Sequence, residues 1–184
     1  GYRSMGTAYG GASAHFTSYD NVAIGYQAFQ NASTGNFNVI LGSEAGYTMT
    51  TGYSNIVIGN HAAYLADGVS DNVVIGNYAG EKMDTATVDA VQNVYIGALS
   101  GRYMDDAKWN VAIGYNSMVG ASGLGNDALE NVAIGYNSLF AITDGDYNSA
   151  VGSKAGTGLT TGSYNVHLGY QAGEAQTIAS SNTF

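Results

Sequence analysis

The side chains able to do chemistry are few and scattered. Histidine occurs at His15, His61 and His167 only, and cysteine is absent. A hydrolytic site needs a nucleophile, a base and an orienting group within reach of one another. His61 and His167 fall in different columns of the repeat set out below, so stacking does not bring them together. The acids Asp105, Asp106, Asp144 and Asp146 offer oxygens of the kind calcium takes, but their spacing matches neither an EF-hand nor a glycine-rich calcium repeat. They also scatter over different columns, which argues against a carboxylate pair of the glycosidase type. Without cysteine there is no disulfide and no thiolate metal site. The expectation is no catalytic residue, no cofactor and no metal. The aromatics carry more. Tyr26, Tyr115, Tyr136 and Tyr170 recur at one position, and Phe37, Trp109, Tyr147 and Tyr164 at another. Such side chains either seal a stack or offer a wide contact area with a polar handle.

What must position them is a repeat. Asn21, Asn38, Asn55, Asn72, Asn93, Asn110, Asn131, Asn148 and Asn165 each open the same motif, at steps of 17, 17, 17, 21, 17, 21, 17 and 17 residues. A fixed period of this size marks a repeat architecture. The second and fourth positions are nearly all Val, Ile or Leu, as in a short strand. The unit is too short for a helical crossover. The fold expected is all-β: a parallel β-solenoid or β-roll of about ten 17- or 21-residue coils. It covers 21–184, after a degenerate lead-in coil at 1–20, as a segment of a longer fibre. Like columns then stack about 4.8 Å apart.

Each column implies a role. The asparagines form a structural ladder through their amides. The fifth position is always glycine, at Gly25, Gly42, Gly59, Gly76, Gly97, Gly114, Gly135, Gly152 and Gly169. It reads as a corner with positive φ or a tight approach. The eighth position is always Ala or Ser, leaving room for close stacking. The third position, from Ala23 to His167, should face opposite to the second and fourth. It is apolar too, so the strand is apolar on both faces. A coil interior buries one face only, and strands apolar on both are normally covered on both. The third column is therefore expected to meet another chain in a lengthwise oligomer.

The two 21-residue units place their extra length in one corner, within residues 81–91 and 119–130. The regular coil between them holds Arg102, Tyr103, Asp105, Asp106, Lys108 and Trp109, the only tryptophan. Loops on a rigid repeat are where binding is usually built. Arg102, Tyr103, Lys108, Trp109, Tyr115 and Tyr136 are the candidate receptor-binding residues. The formal net charge of -9, with five Lys and Arg in all, speaks against nucleic acid, which needs a basic patch. No run reaches the roughly 18 apolar residues of a membrane helix, so no membrane insertion is expected.

The element Asn-x-Ala-Ile-Gly-x-x-Ala/Ser resembles the head repeat of trimeric autotransporter adhesins. The longer pattern seen from Asn21 to Asn38, with Thr34-Gly35, and from Asn148 to Asn165, with Thr161-Gly162, is similar to repeats in tail-fibre proteins of phages and phage-like elements. These resemblances imply a homotrimer. They also imply a structural and adhesive segment of a virion tail fibre, contacting a host-surface glycan or protein. The alternatives are the head of a bacterial trimeric adhesin at the cell surface, and a polysaccharide-cleaving tailspike.

Overall fold

The computed structural model describes residues 18–83, 90–122 and 125–184. Nine three-residue strands follow in chain order: β1 (Val22–Ile24), β2 (Val39–Leu41), β3 (Ile56–Ile58), β4 (Val73–Ile75), β5 (Val94–Ile96), β6 (Val111–Ile113), β7 (Val132–Ile134), β8 (Ser149–Val151) and β9 (Val166–Leu168). They form one parallel sheet in the order β1 to β9, each in register with the next, as Val22 on Val39 and Val132 on Ser149. The repeat thus becomes a β-solenoid, and no described residue is helical. It makes about eight turns rather than the ten counted from sequence, with residues 182–184 only beginning another by pairing Thr183 with Val166. Most of the expected lead-in, residues 1–17, lies outside the described residues.

The asparagines hold the coils together as expected, with every polar atom used. In Asn131 the backbone N–H and Nδ2 both donate to Oδ1 of Asn110, at 2.9 and 3.2 Å. Nδ2 also donates to the carbonyls of Leu129 and Gly145, which closes the coil on itself. Oδ1 then accepts from the N–H and Nδ2 of Asn148 above. From Asn38 to Asn165 the side chains of this column are buried. A buried amide left half-paired would cost about 1–3 kcal/mol, so the column tolerates little else.

The fifth-position glycines answer two demands. Their φ lies between +123° and +144°, where a side chain is strained. A Cβ on Gly114 would also stand 2.6 Å from the carbonyl oxygen of Gly135 in the next coil. Three further corners per coil are left-handed without glycine being required. They fall at the seventh, ninth and seventeenth positions, as in His61 (φ 52°), Met118 (φ 55°) and Trp109 (φ 58°). Each such residue costs about 1–3 kcal/mol unless its surroundings impose it. Here a neighbouring coil does so, because the N–H groups of His61, Met118 and Trp109 donate to Ser43, Ser138 and Val91 in adjacent coils.

The outward and inward faces are the reverse of the sequence expectation. The third column is the core. Ile40, Val57, Val74, Tyr95, Ala112, Ala133, Ala150 and His167 are all buried. The second and fourth columns point out, and Ile24, Ile56, Ile113, Ile134 and Leu168 are exposed. The coil interior chooses the third column because the ninth, inside the next corner, faces it and the two share one volume. Small Ala23, Ala112 and Ala133 accompany buried Phe29, Met118 and Leu139. Large Tyr95 accompanies Gly101, where a Cβ would run into the phenol ring. Met49, Met83, Met104, Ile142 and Leu159, all fully buried, fill the remainder.

Candidate binding surface

The six candidate residues divide among three places. Tyr115 and Tyr136 follow the glycine corner and stack on each other, centroids 5.9 Å apart and planes within 7°. Arg102 and Tyr103 occupy a second corner. The Arg102 guanidinium lies 4.7 Å from the Tyr103 ring centroid and 5.6 Å from that of Tyr78, and its Nε donates to Glu81 at 2.5 Å. Lys108 and Trp109 stand at the third, just before the strand.

The second corner is longer than the sequence suggested. Tyr47 stacks on Tyr64 at 5.2 Å, His61 contacts Tyr64 and stacks on Tyr78 at 4.8 Å, and Arg102 follows. His61 Nε2 lies 3.2 Å from Glu44, and Nδ1 lies 2.9 Å from Asn60 Oδ1. These residues are a continuous ribbon over four coils. Their faces cover one another, which is the geometry of a packing seam. Spacing by 17 in two columns, seventh and tenth, was the available signal.

Trp109 is different. Its column runs Gln92, Trp109, Glu130, Tyr147, Tyr164 through successive coils. Tyr147 and Tyr164 stack at 5.0 Å, whereas the neighbours of Trp109 are an amide and a carboxylate. Trp109 is 48% exposed. Nε1 donates to Gln92 Oε1 at 2.5 Å, fixing its orientation. A hollow of about 320 Å³ beside it is lined by Asp106, Lys108, Trp109, Asp127 and Leu129. A second, of about 530 Å³, opens between Trp109 and Glu130. The walls are set by backbone pairing of Lys108 with Leu129 and of Glu130 N–H with the Lys108 carbonyl.

The long units frame this coil from both sides. Lys82, below, makes a 2.9 Å ion pair with Asp105. Asn126, above, donates to the Tyr103 carbonyl and to Ala121 O. Residues 84–89 and 123–124, within the proposed loops, lie outside the described residues. The acids do not scatter as the sequence implied. Burial, and then Asp106, Asp144 and Asp146, raise the Asp127 carboxyl above its ordinary range. Burial raises Asp105 as well, with Lys82 opposing. Glu130 pushes the Tyr147 phenol up. The 21-residue unit carries Asp127 back over Asp106, a convergence that simple column counting misses. Among the described residues no group of three or more His, Asp or Glu is placed to hold a metal ion.

Comparison with protein-family models, curated proteins and solved structures found no match.

Proposed function

We propose that this chain is a non-enzymatic attachment segment of a viral tail fibre, a rod of three chains that spans distance and contacts a host surface. The observation that supports it is the outward sheet face. Two columns of Val, Ile and Leu, broken only at Ser149, run along nine strands, about 38 Å at about 4.8 Å per step, with Ile24 and Leu168 59% and 69% exposed. Parallel sheets are normally covered on both faces, and exposed apolar patches beyond a few hundred Å² mark interaction sites. A second and third copy, packed lengthwise, cover such a face along its full length. The strand motif shared with trimeric fibres favours three copies. Trp109 and its hollow stand beside this face, on a regular coil, and form the contact surface.

The test is surface labelling. Fluorescent protein, added to a panel of bacteria, is expected to bind some strains saturably and to be displaced by unlabelled protein. Trp109→Ala should weaken that labelling. No saturable labelling of any strain would overturn the attachment reading.

A further inference from the structure

We infer that the Trp109 indole, between the two hollows that flank it, is the platform for a glycosyl ring bearing no anionic substituent, with Glu130 in one hollow and Asp127 in the other as hydrogen-bonding partners. This rests on the attachment reading and names the ligand class of the same site.

A pyranose presents an apolar C–H face and a rim of hydroxyls. Its recognition needs one flat aromatic face and polar groups at the edges, the usual make-up of a small-molecule site. The stacked pairs Tyr115–Tyr136 and Tyr147–Tyr164 spend their faces on each other. Trp109 has non-aromatic neighbours on both sides in its column, Gln92 and Glu130, and hollows open against it. The hydrogen bond to Gln92 holds the ring in place before any ligand arrives. That lowers the ordering cost of binding. Carboxylates accept strongly from hydroxyls. Three of them, Asp106, Asp127 and Glu130, line the two hollows together with a single ammonium, Lys108. This balance repels sulfate, phosphate and sugar carboxylates, a discrimination made by like charge.

Trp109 is the only tryptophan beside 15 tyrosines, so emission of the intact 184-residue protein, excited at the red edge where tyrosine does not absorb, reports on this site alone. The probes are N-acetylglucosamine oligomers, mannan and galactan, with heparin as the polyanion. A saturable emission change is expected with at least one uncharged glycan and none with heparin. Glu130→Gln should weaken that binding roughly tenfold, since a charged acceptor becomes a neutral one. Calorimetry on Trp109→Phe, whose exposed position leaves the fold intact, should show at least a comparable loss. Blank titrations with every uncharged glycan, preference for heparin, or unchanged affinity of Trp109→Phe would each overturn the inference. Cell labelling that depends on Trp109 alongside blank glycan titrations would leave the attachment reading standing and remove the sugar. Sugar binding without cell labelling would do the reverse.

Discussion

Gly114→Ala separates the two reasons for glycine at the corner. The first is conformational: φ at Gly114 is +134°, and a side chain there costs about 1–3 kcal/mol. The second is steric, since the new Cβ would lie 2.6 Å from the Gly135 oxygen and 2.8 Å from its carbon. Backbone cannot swing aside, so the coils must part by about 0.4 Å to reach even a tight 3.0 Å contact. The flanking bonds from Val111 N–H to Asn131 and from Gly135 N–H to Ile113, both 2.8 Å, would then stretch to about 3.2 Å, the edge of the normal range. Losing one or two such bonds adds about 0.5–1.5 kcal/mol each. Gly114→Ala should therefore cost about 2–6 kcal/mol. Gly169 provides the control: its φ is +123°, but a Cβ there meets nothing within 4 Å. Gly169→Ala should show the conformational cost alone, about 1–3 kcal/mol. At Gly125 a Cβ would meet only Asp127 Oδ1 at 3.8 Å, and Gly125→Ala should be neutral or stabilising by up to about 1 kcal/mol. Thermal unfolding, paired with amide exchange because repeat rods can lose cooperativity locally, ranks the three. If Gly114→Ala unfolds like Gly169→Ala, the close approach between coils is wrong.

The other predictions concern the ladder, the core histidine and the outer face. Asn131→Ala strands the buried Asn148 amide and the Gly145 carbonyl and should cost about 2–6 kcal/mol at about 1–3 per unpaired group, read by urea unfolding. His167 is buried with neither ring nitrogen hydrogen-bonded, and burial holds its pKa below the ordinary 6.5. The unfolded chain then takes up a proton before the folded one as pH falls from about 6.5, so the stability of the last coil should drop over that window. Amide exchange at residues 166–169 should quicken at about pH 5.5 relative to about 7.5 after correction for intrinsic rates, and His167→Phe should remove the difference. Asp105 and Asp127, whose carboxyls are raised, act in the opposite sense at lower pH, where their protonation favours the fold. Finally, Ile113→Lys with Ile134→Lys places like charges on adjacent outward strands and should dissociate the oligomer while far-UV circular dichroism keeps its β spectrum.

The ladder and the glycine corner were legible because each column holds one residue type with one task. Asn110 and Gly114 need no partner column to be understood. Inside and outside were not legible by polarity, since Val111, Ala112 and Ile113 are all apolar. The deciding signal was the reciprocity between columns: Ala23 with Phe29, Tyr95 with Gly101, Ala133 with Leu139. Columns read singly conceal it. The left-handed corners at His61 and Met118 are marked only in some units, by Asn116 and Asn137 in one column and by Gly46, Gly80, Gly101, Gly156 and Gly173 in the other, and the Trp109 column carries neither residue, because stacking rather than local preference imposes it. At the candidate site, Trp109 stood out as the only tryptophan. The convergence of Asp127 on Asp106 depends on how a 21-residue unit returns to the register of a 17-residue one, which spacing alone does not fix.

The central claim is that the outward columns of Val, Ile and Leu are a face between chains. Sedimentation velocity with light scattering on the unmodified 184-residue protein tests it most directly. The expected mass is three times 19.0 kDa, about 57 kDa, held on dilution and falling to 19.0 kDa in the Ile113→Lys, Ile134→Lys variant. A monodisperse species of 19.0 kDa at micromolar concentration from the unmodified chain would contradict it.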